Sequence, residues 1–132
     1  IYGEQNLEGA LHFSATEFRS MVLMSDGKNN VLRPLTNYAQ MGPLNAVIVE
    51  DVNGDGNLDI IGCGNNYAAE VETIRYDGGR GICLLGDGLG GFKNVQPRVS
   101  GFFVNSDAKD MLVVNDIYVV TSNNDELLFF KH

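Results

Sequence analysis

Histidine and cysteine are scarce in this 132-residue chain, with only His12, His132, Cys63 and Cys83. No HExxH, GxSxG or phosphate-cradling P-loop occurs, so zinc-peptidase, serine-hydrolase and nucleotide sites are absent in their motif forms. His12, in ALHFS, reads as a strand or edge residue rather than a catalytic base. Basic residues are also few. Nine Lys and Arg against 17 Asp and Glu give a net charge of -8 and a pI near 4.5, so a nucleic-acid partner would be repelled. No apolar run approaches the roughly 20 residues needed to span a bilayer. The first residues, IYGEQNLEGA, have neither a basic leader region nor an initiator Met, and the chain reads as a mature or trimmed segment.

What the chain does have is enough apolar material for one domain, 44% of residues, distributed in short bursts of β-branched, aliphatic and aromatic residues. Gly, Asn, Asp and Ser punctuate the gaps, which is the pattern of strands and turns. Strands are expected over 20–24, 30–35, 44–50, 58–63, 81–85, 92–96, 108–114, 117–121 and 127–131. The fold class is therefore all-β. The only helix signal is SATEF, with Ser14 as a candidate N-cap, and no 3.6-residue apolar period follows it. Cys63 and Cys83 are open to two readings, a disulfide across a hairpin or two small buried residues.

The chain also repeats imperfectly. VLMSDGKNNV at 22–31 lies over CLLGDGLGGF at 83–92, each an apolar strand, an Asp-Gly turn and a second strand. DIIGCGNN from Asp59 resembles IYVVTSNN from Ile117 in the same way. Spacings near 60 residues exceed the roughly 40 to 50 of a usual propeller repeat, and an insertion over 65–80 accounts for the excess. The pattern implies antiparallel four-stranded units, one complete and two partial.

The stretch EDVNGDGNLDIIG at 50–62 carries the clearest chemistry. With Asp51 as position one, oxygen-bearing side chains fall at three (Asn53), five (Asp55) and nine (Asp59). Gly56 stands at six, and the carbonyl of Asn57 falls at seven. Alternating oxygens on a tight turn suit calcium, which takes six to eight oxygen ligands in a flexible shell, and glycine at six permits the bend. Magnesium fits less well, and zinc would want His or Cys. An EF-hand would need a Glu at position twelve, which is Gly62, and helices where AVIVE and LDIIG stand. A polar hairpin turn is the plain alternative. Against it, three neighbouring carboxylates repel one another unless a cation joins them.

VEDVNGDGNLDIIGCGN followed by GICLLGDGLGGF resembles the FG-GAP or VCBS-type repeat of integrin-like β-propellers, including bacterial surface proteins of the ASPIC/UnbV kind. The resemblance covers about 44–95. It implies calcium on Asp51, Asn53, Asp55, Asn57 and Asp59, and a four-stranded blade over 44–99. Residues 10–40 resemble part of a preceding blade, and 101–132 a degenerate blade without the calcium loop. A complete propeller of this kind is several times longer. The resemblance therefore implies either a fragment, expected to be C-terminal, or copies that associate to cover open blade edges. Phe102 and Phe103 are expected to pack within a blade.

The insertion at 65–80 offers Tyr67, Glu70, Glu72, Arg75, Tyr76 and Asp77 to a protein or glycan ligand, or it is a solvated loop without one. Glu70 and Glu72 make a weak carboxylate pair for glycoside hydrolysis, since nothing sets their separation. GDGLGG at 86–91 reads as a turn, not a dinucleotide site. The expected function is a noncatalytic, calcium-stabilised propeller segment of a secreted or cell-surface protein, acting in binding or adhesion. The alternative is part of a secreted enzyme whose active site lies elsewhere or on the long loop.

Overall fold

The apolar bursts form strands because β-branched and aliphatic side chains fit a pleated, half-buried surface. The computed structural model describes residues 3–131, the side chain of Glu4 excepted. His132, one of the two histidines, lies outside the described residues. Among these residues there are nine strands in three antiparallel sheets. A two-stranded sheet pairs β1 (Met21–Ser25) with β2 (Asn30–Pro34). A four-stranded meander follows: β3 (Ala46–Glu50), β4 (Asp59–Cys63), β5 (Ile82–Gly86) and β6 (Phe92–Val95). The last sheet joins β7 (Ala108–Val114), β8 (Ile117–Ser122) and β9 (Leu128–Lys131).

Strand alternation decides what each face of the four-stranded sheet meets. Ala46, Ile61, Cys63 and Cys83 share a core with Ala108, Met111, Tyr118 and Val120 of the three-stranded sheet. Ile60, Ile82 and Leu84 point the other way and pack with Leu35, Ala39 and Val22, beside the two-stranded sheet. Every residue of β4 is therefore buried. The middle sheet is covered on both faces, and the stack is held by two apolar layers. These three sheets form an open stack, and no propeller is formed by the described residues.

The repeat has a structural form. Shifting β1 by 61 residues carries 21–25 onto 82–86, the span of β5. The second strands are offset by 62, because the loop between β5 and β6 (87–91) has one residue more than the loop between β1 and β2 (26–29). Both loops close on an aspartate amide, Asp26 N–H to Asn29 O and Asp87 N–H to Gly91 O.

Several expectations are corrected. His12 and Ser14 lie in an exposed segment with neither strand nor helix, so His12 is no strand residue. Short helical turns occur instead at Glu4–Leu7, Asn37–Gln40 and Pro97–Ser100, each too brief to show an apolar period. Of the two phenylalanines, Phe102 is buried against Tyr118 and Phe130, while Phe103 is 47% exposed. The cysteines are free. Cys83 lies opposite Ile61, so Cys63, two residues further along β4, is on the same face but on another rung. Burial raises both thiols, Cys63 to about 11 with a smaller push from Asp110, which makes it a poor nucleophile.

Candidate functional site: the 51–59 loop and the opposite end of the sheet

Antiparallel pairing of Glu50 with Asp59 sets the loop 51–58 as the connection between β3 and β4. Its path is shaped by carboxylates that accept backbone N–H groups. Asp51 Oδ1 accepts from Gly54 (2.8 Å) and Asp55 (3.1 Å), and its Oδ2 accepts from Gly56 (2.8 Å). The left-handed φ values of Gly54 (75°) and Gly56 (87°) turn those amides inward, which a side chain at either position would strain. Asp55 Oδ1 accepts from the Asn57 amide (2.8 Å), and Asn53 donates to its Oδ2 (2.9 Å). These bonds, the Asn57 amide first, hold the Asp55 carboxyl below its ordinary pKa.

Asp59 does something different. It is fully buried, and its two oxygens accept the amides of Val52 (3.0 Å) and Gly86 (2.7 Å). One carboxylate thus ties the start of the loop to the end of β5. Asn57 completes the junction, its side-chain oxygen lying where a Cβ on Gly88 would come within 2.4 Å. The 51–58 and 87–91 loops therefore share one end of the sheet. The contribution of the second loop was missed in the sequence, although its Asp-Gly spacing was visible in the repeat.

The donor set of Asp51, Asn53, Asp55, Asn57 and Asp59 is all oxygen and fits a hard cation such as calcium. Each carboxylate oxygen has two lone pairs, so Asp51 Oδ1, with two N–H donors, is filled, whereas Asp51 Oδ2 and the two oxygens of Asp59 accept one N–H each and keep capacity for a cation. As the side chains stand, no three His, Cys, Asp or Glu groups among the described residues are gathered closely enough to hold a metal. Asn53 and Asp55 are exposed and bonded to each other, whereas Asp59 faces the sheet.

The insertion 65–80 connects β4 to β5, so in a meander it leaves the opposite end of the sheet. Five residues of strand separate the two ends, about 17 Å. Its base is held by Asn65, fully buried, which donates to Gly79 O (3.2 Å) and Ser106 O (3.0 Å) and accepts from Gly79 N–H (2.9 Å). Asn66 and Tyr76 exchange two backbone bonds of 2.9 Å. Below them Asp107, 1% exposed, accepts from Lys109 (2.6 Å), Asn123 (3.3 Å) and the Tyr67 amide (3.3 Å). Burial opposes its charge, but these bonds together prevail and its pKa falls below the ordinary value.

Of the candidate ligand residues, Tyr67 and Arg75 are brought together, with the guanidinium 5.3 Å from the ring centroid. The Tyr67 hydroxyl donates to Asn105 O (2.6 Å). Tyr76 is half exposed, and Glu70, Glu72 and Asp77 are exposed. No protein-family profile, curated protein or solved structure matches the chain.

Proposed function

We propose that this chain is a noncatalytic, calcium-stabilised segment of a β-propeller from a secreted or cell-surface protein, which presents the 65–80 loop to a protein or glycan partner. The observation that carries the reading is the 51–59 loop. Three carboxylates and two amides stand on one turn between strands, one carboxylate is buried as a strut, and no helix flanks them. A resident calcium would be held by Asp51, Asn53, Asp55, Asn57 and Asp59, and would neutralise their mutual repulsion and pin the turn.

Sheet order supports the propeller part of the reading. The two-stranded sheet repeats the third and fourth strands of the middle sheet, and the three-stranded sheet its first three. Apolar layers lie between successive sheets. The anchored base of the 65–80 loop, with its exposed Tyr76, Glu70 and Glu72 and the Tyr67–Arg75 stack, supports a rigid recognition surface at the end away from the metal loop. Calorimetric titration with calcium tests the metal reading. One saturable site is expected, lost in Asp51→Ala and Asp55→Ala; retention of the same binding by both variants would refute it.

A further inference from the structure

Asn53 and Gly54, in the loop between β3 and β4, make the one Asn-Gly step of the sequence; every other asparagine precedes a residue that carries a side chain. The difference bears on a reaction open to any asparagine, in which the backbone nitrogen of the next residue attacks the side-chain carbonyl carbon and closes a succinimide ring. A side chain on the attacking residue hinders that approach, and glycine has none. Asn53 and Gly54 are both exposed, and a Cβ built on Gly54 would meet nothing within 4 Å. The ring therefore has room to close, and water can reach it.

The hydrogen bonds of the loop address each group that has to change. The nucleophile is the Gly54 nitrogen, whose N–H donates to Asp51 Oδ1 (2.8 Å). That bond lies in the peptide plane, while the electrons that attack stand above and below it, so the carboxylate can take the proton without blocking the approach. The electrophile is Asn53 Cγ. Its oxygen, Oδ1, accepts the Asp55 amide (2.9 Å), which closes a turn around Gly54 and puts a donor where negative charge develops as the nitrogen adds. The leaving nitrogen, Nδ2, donates to Asp55 Oδ2 (2.9 Å), a carboxylate that settles which end of the side-chain amide is nitrogen.

We propose that Asn53 is a self-modifying site, converted with the help of Gly54 and Asp51 into aspartate and isoaspartate. In the first step the bond from Gly54 N to Asn53 Cγ forms and the bond from Cγ to Nδ2 breaks. The Gly54 proton passes by way of Asp51 Oδ1 to the departing nitrogen, which leaves as ammonia. In the second step water opens the ring. Attack at Cγ gives aspartate, and attack at the main-chain carbonyl gives isoaspartate, with the chain rerouted through Cγ. The balance needs water alone. Either product exchanges a neutral amide for a carboxylate in a stretch that already holds Asp51, Asp55 and Asp59. Isoaspartate also lengthens the backbone within the turn, which pulls the Gly54, Asp55 and Gly56 amides off Asp51.

Peptide mapping by chromatography and mass spectrometry tests this on the whole chain, incubated at neutral pH with chelator. The folded chain is expected to convert Asn53 at least as fast as the same chain in denaturing urea, because the loop assembles the acceptor and the donor that an unfolded chain lacks. Asn115, exposed in the β7–β8 turn and followed by Asp116, is the internal reference and should stay unconverted over the same period. Asp51→Asn keeps an acceptor of the same shape and removes the carboxylate. It should slow the folded rate about a hundredfold, the low end of what a positioned proton acceptor contributes, and leave the rate in urea unchanged. Faster conversion in urea than in the folded chain, conversion of Asn115 at the Asn53 rate, or a folded Asp51→Asn rate equal to or above that of the wild type overturns the proposal. The wild-type comparison needs no variant and stands even where Asp51→Asn does not fold. Chelator keeps each result independent of the calcium titration.

Discussion

The β3–β4 and β7–β8 hairpins hold the same place in their sheets and are closed in opposite ways. Between Val114 and Ile117, which pair directly, only Asn115 and Asp116 intervene, with Asn115 in the left-handed region at φ 58°. Between Glu50 and Asp59, also a direct pair, the chain spends the whole stretch 51–58. Two residues are thus enough to join such strands. The longer loop, with its carboxylates, is surplus to the connection and needs a separate cause. The contrast continues at the first residue of each second strand. Asp59 is a buried strut between two backbone amides, whereas Ile117, its counterpart in the repeat, is 37% exposed.

That contrast can be tested from both sides. The largest effect is expected at Asp59. Asp59→Ala leaves the Val52 and Gly86 amides without their acceptor at a buried site, and should cost about 2–4 kcal/mol in urea unfolding. Ile117→Ala should cost about 1 kcal/mol or less. Equal losses would erase the distinction between the two hairpins. Next in size is the response to metal. With calcium at about a hundred times its dissociation constant, the gain is about 2.7 kcal/mol, on the order of 10 °C in melting temperature. Chelator should remove that gain. Asp51→Ala should abolish it, while Asp116→Ala in the short turn leaves it intact.

A smaller effect is expected at the two-residue turn. Asn115→Val forces a β-branched residue into the left-handed region and should destabilise by about 1–2 kcal/mol, and Asn115→Gly should be neutral or slightly stabilising. Neither change should alter the calcium response. The smallest effect is acid sensitivity. The Asp55 and Asp107 carboxyls have folded pKa values below the ordinary 3.8. Groups shifted in that direction contribute stability that is fully present above 3.8 and is lost as pH falls through their lowered values. Asp107→Asn should flatten the acid limb of a stability–pH curve, and a limb unchanged in that variant would contradict the assignment.

All nine strands were legible in the sequence to within two residues at each end, because each is a short apolar burst bounded by turn formers. The all-β class followed from them. The 51–58 connection between β3 and β4 was legible as well, since Asp, Asn and Gly separate its two apolar bursts. Asp59's role was not, because its partner, the Gly86 amide, is 27 residues away and nothing in the local pattern announces a backbone donor. The same holds for Asn65, whose partners Gly79 and Ser106 depend on how the insertion folds back. His12 was misread for the converse reason. ALHFS alternates like a strand, yet no neighbour pairs with it in this structure.

Backbone amide spectra recorded during a calcium titration test the account most directly, because both hairpins are observed in one sample. Saturable shifts at Gly54, Asp55 and Gly56, complete at one equivalent, with Asn115 and Asp116 unmoved, are the result expected here. No shift in the 51–59 loop at millimolar calcium, or equal shifts in both turns, would contradict it.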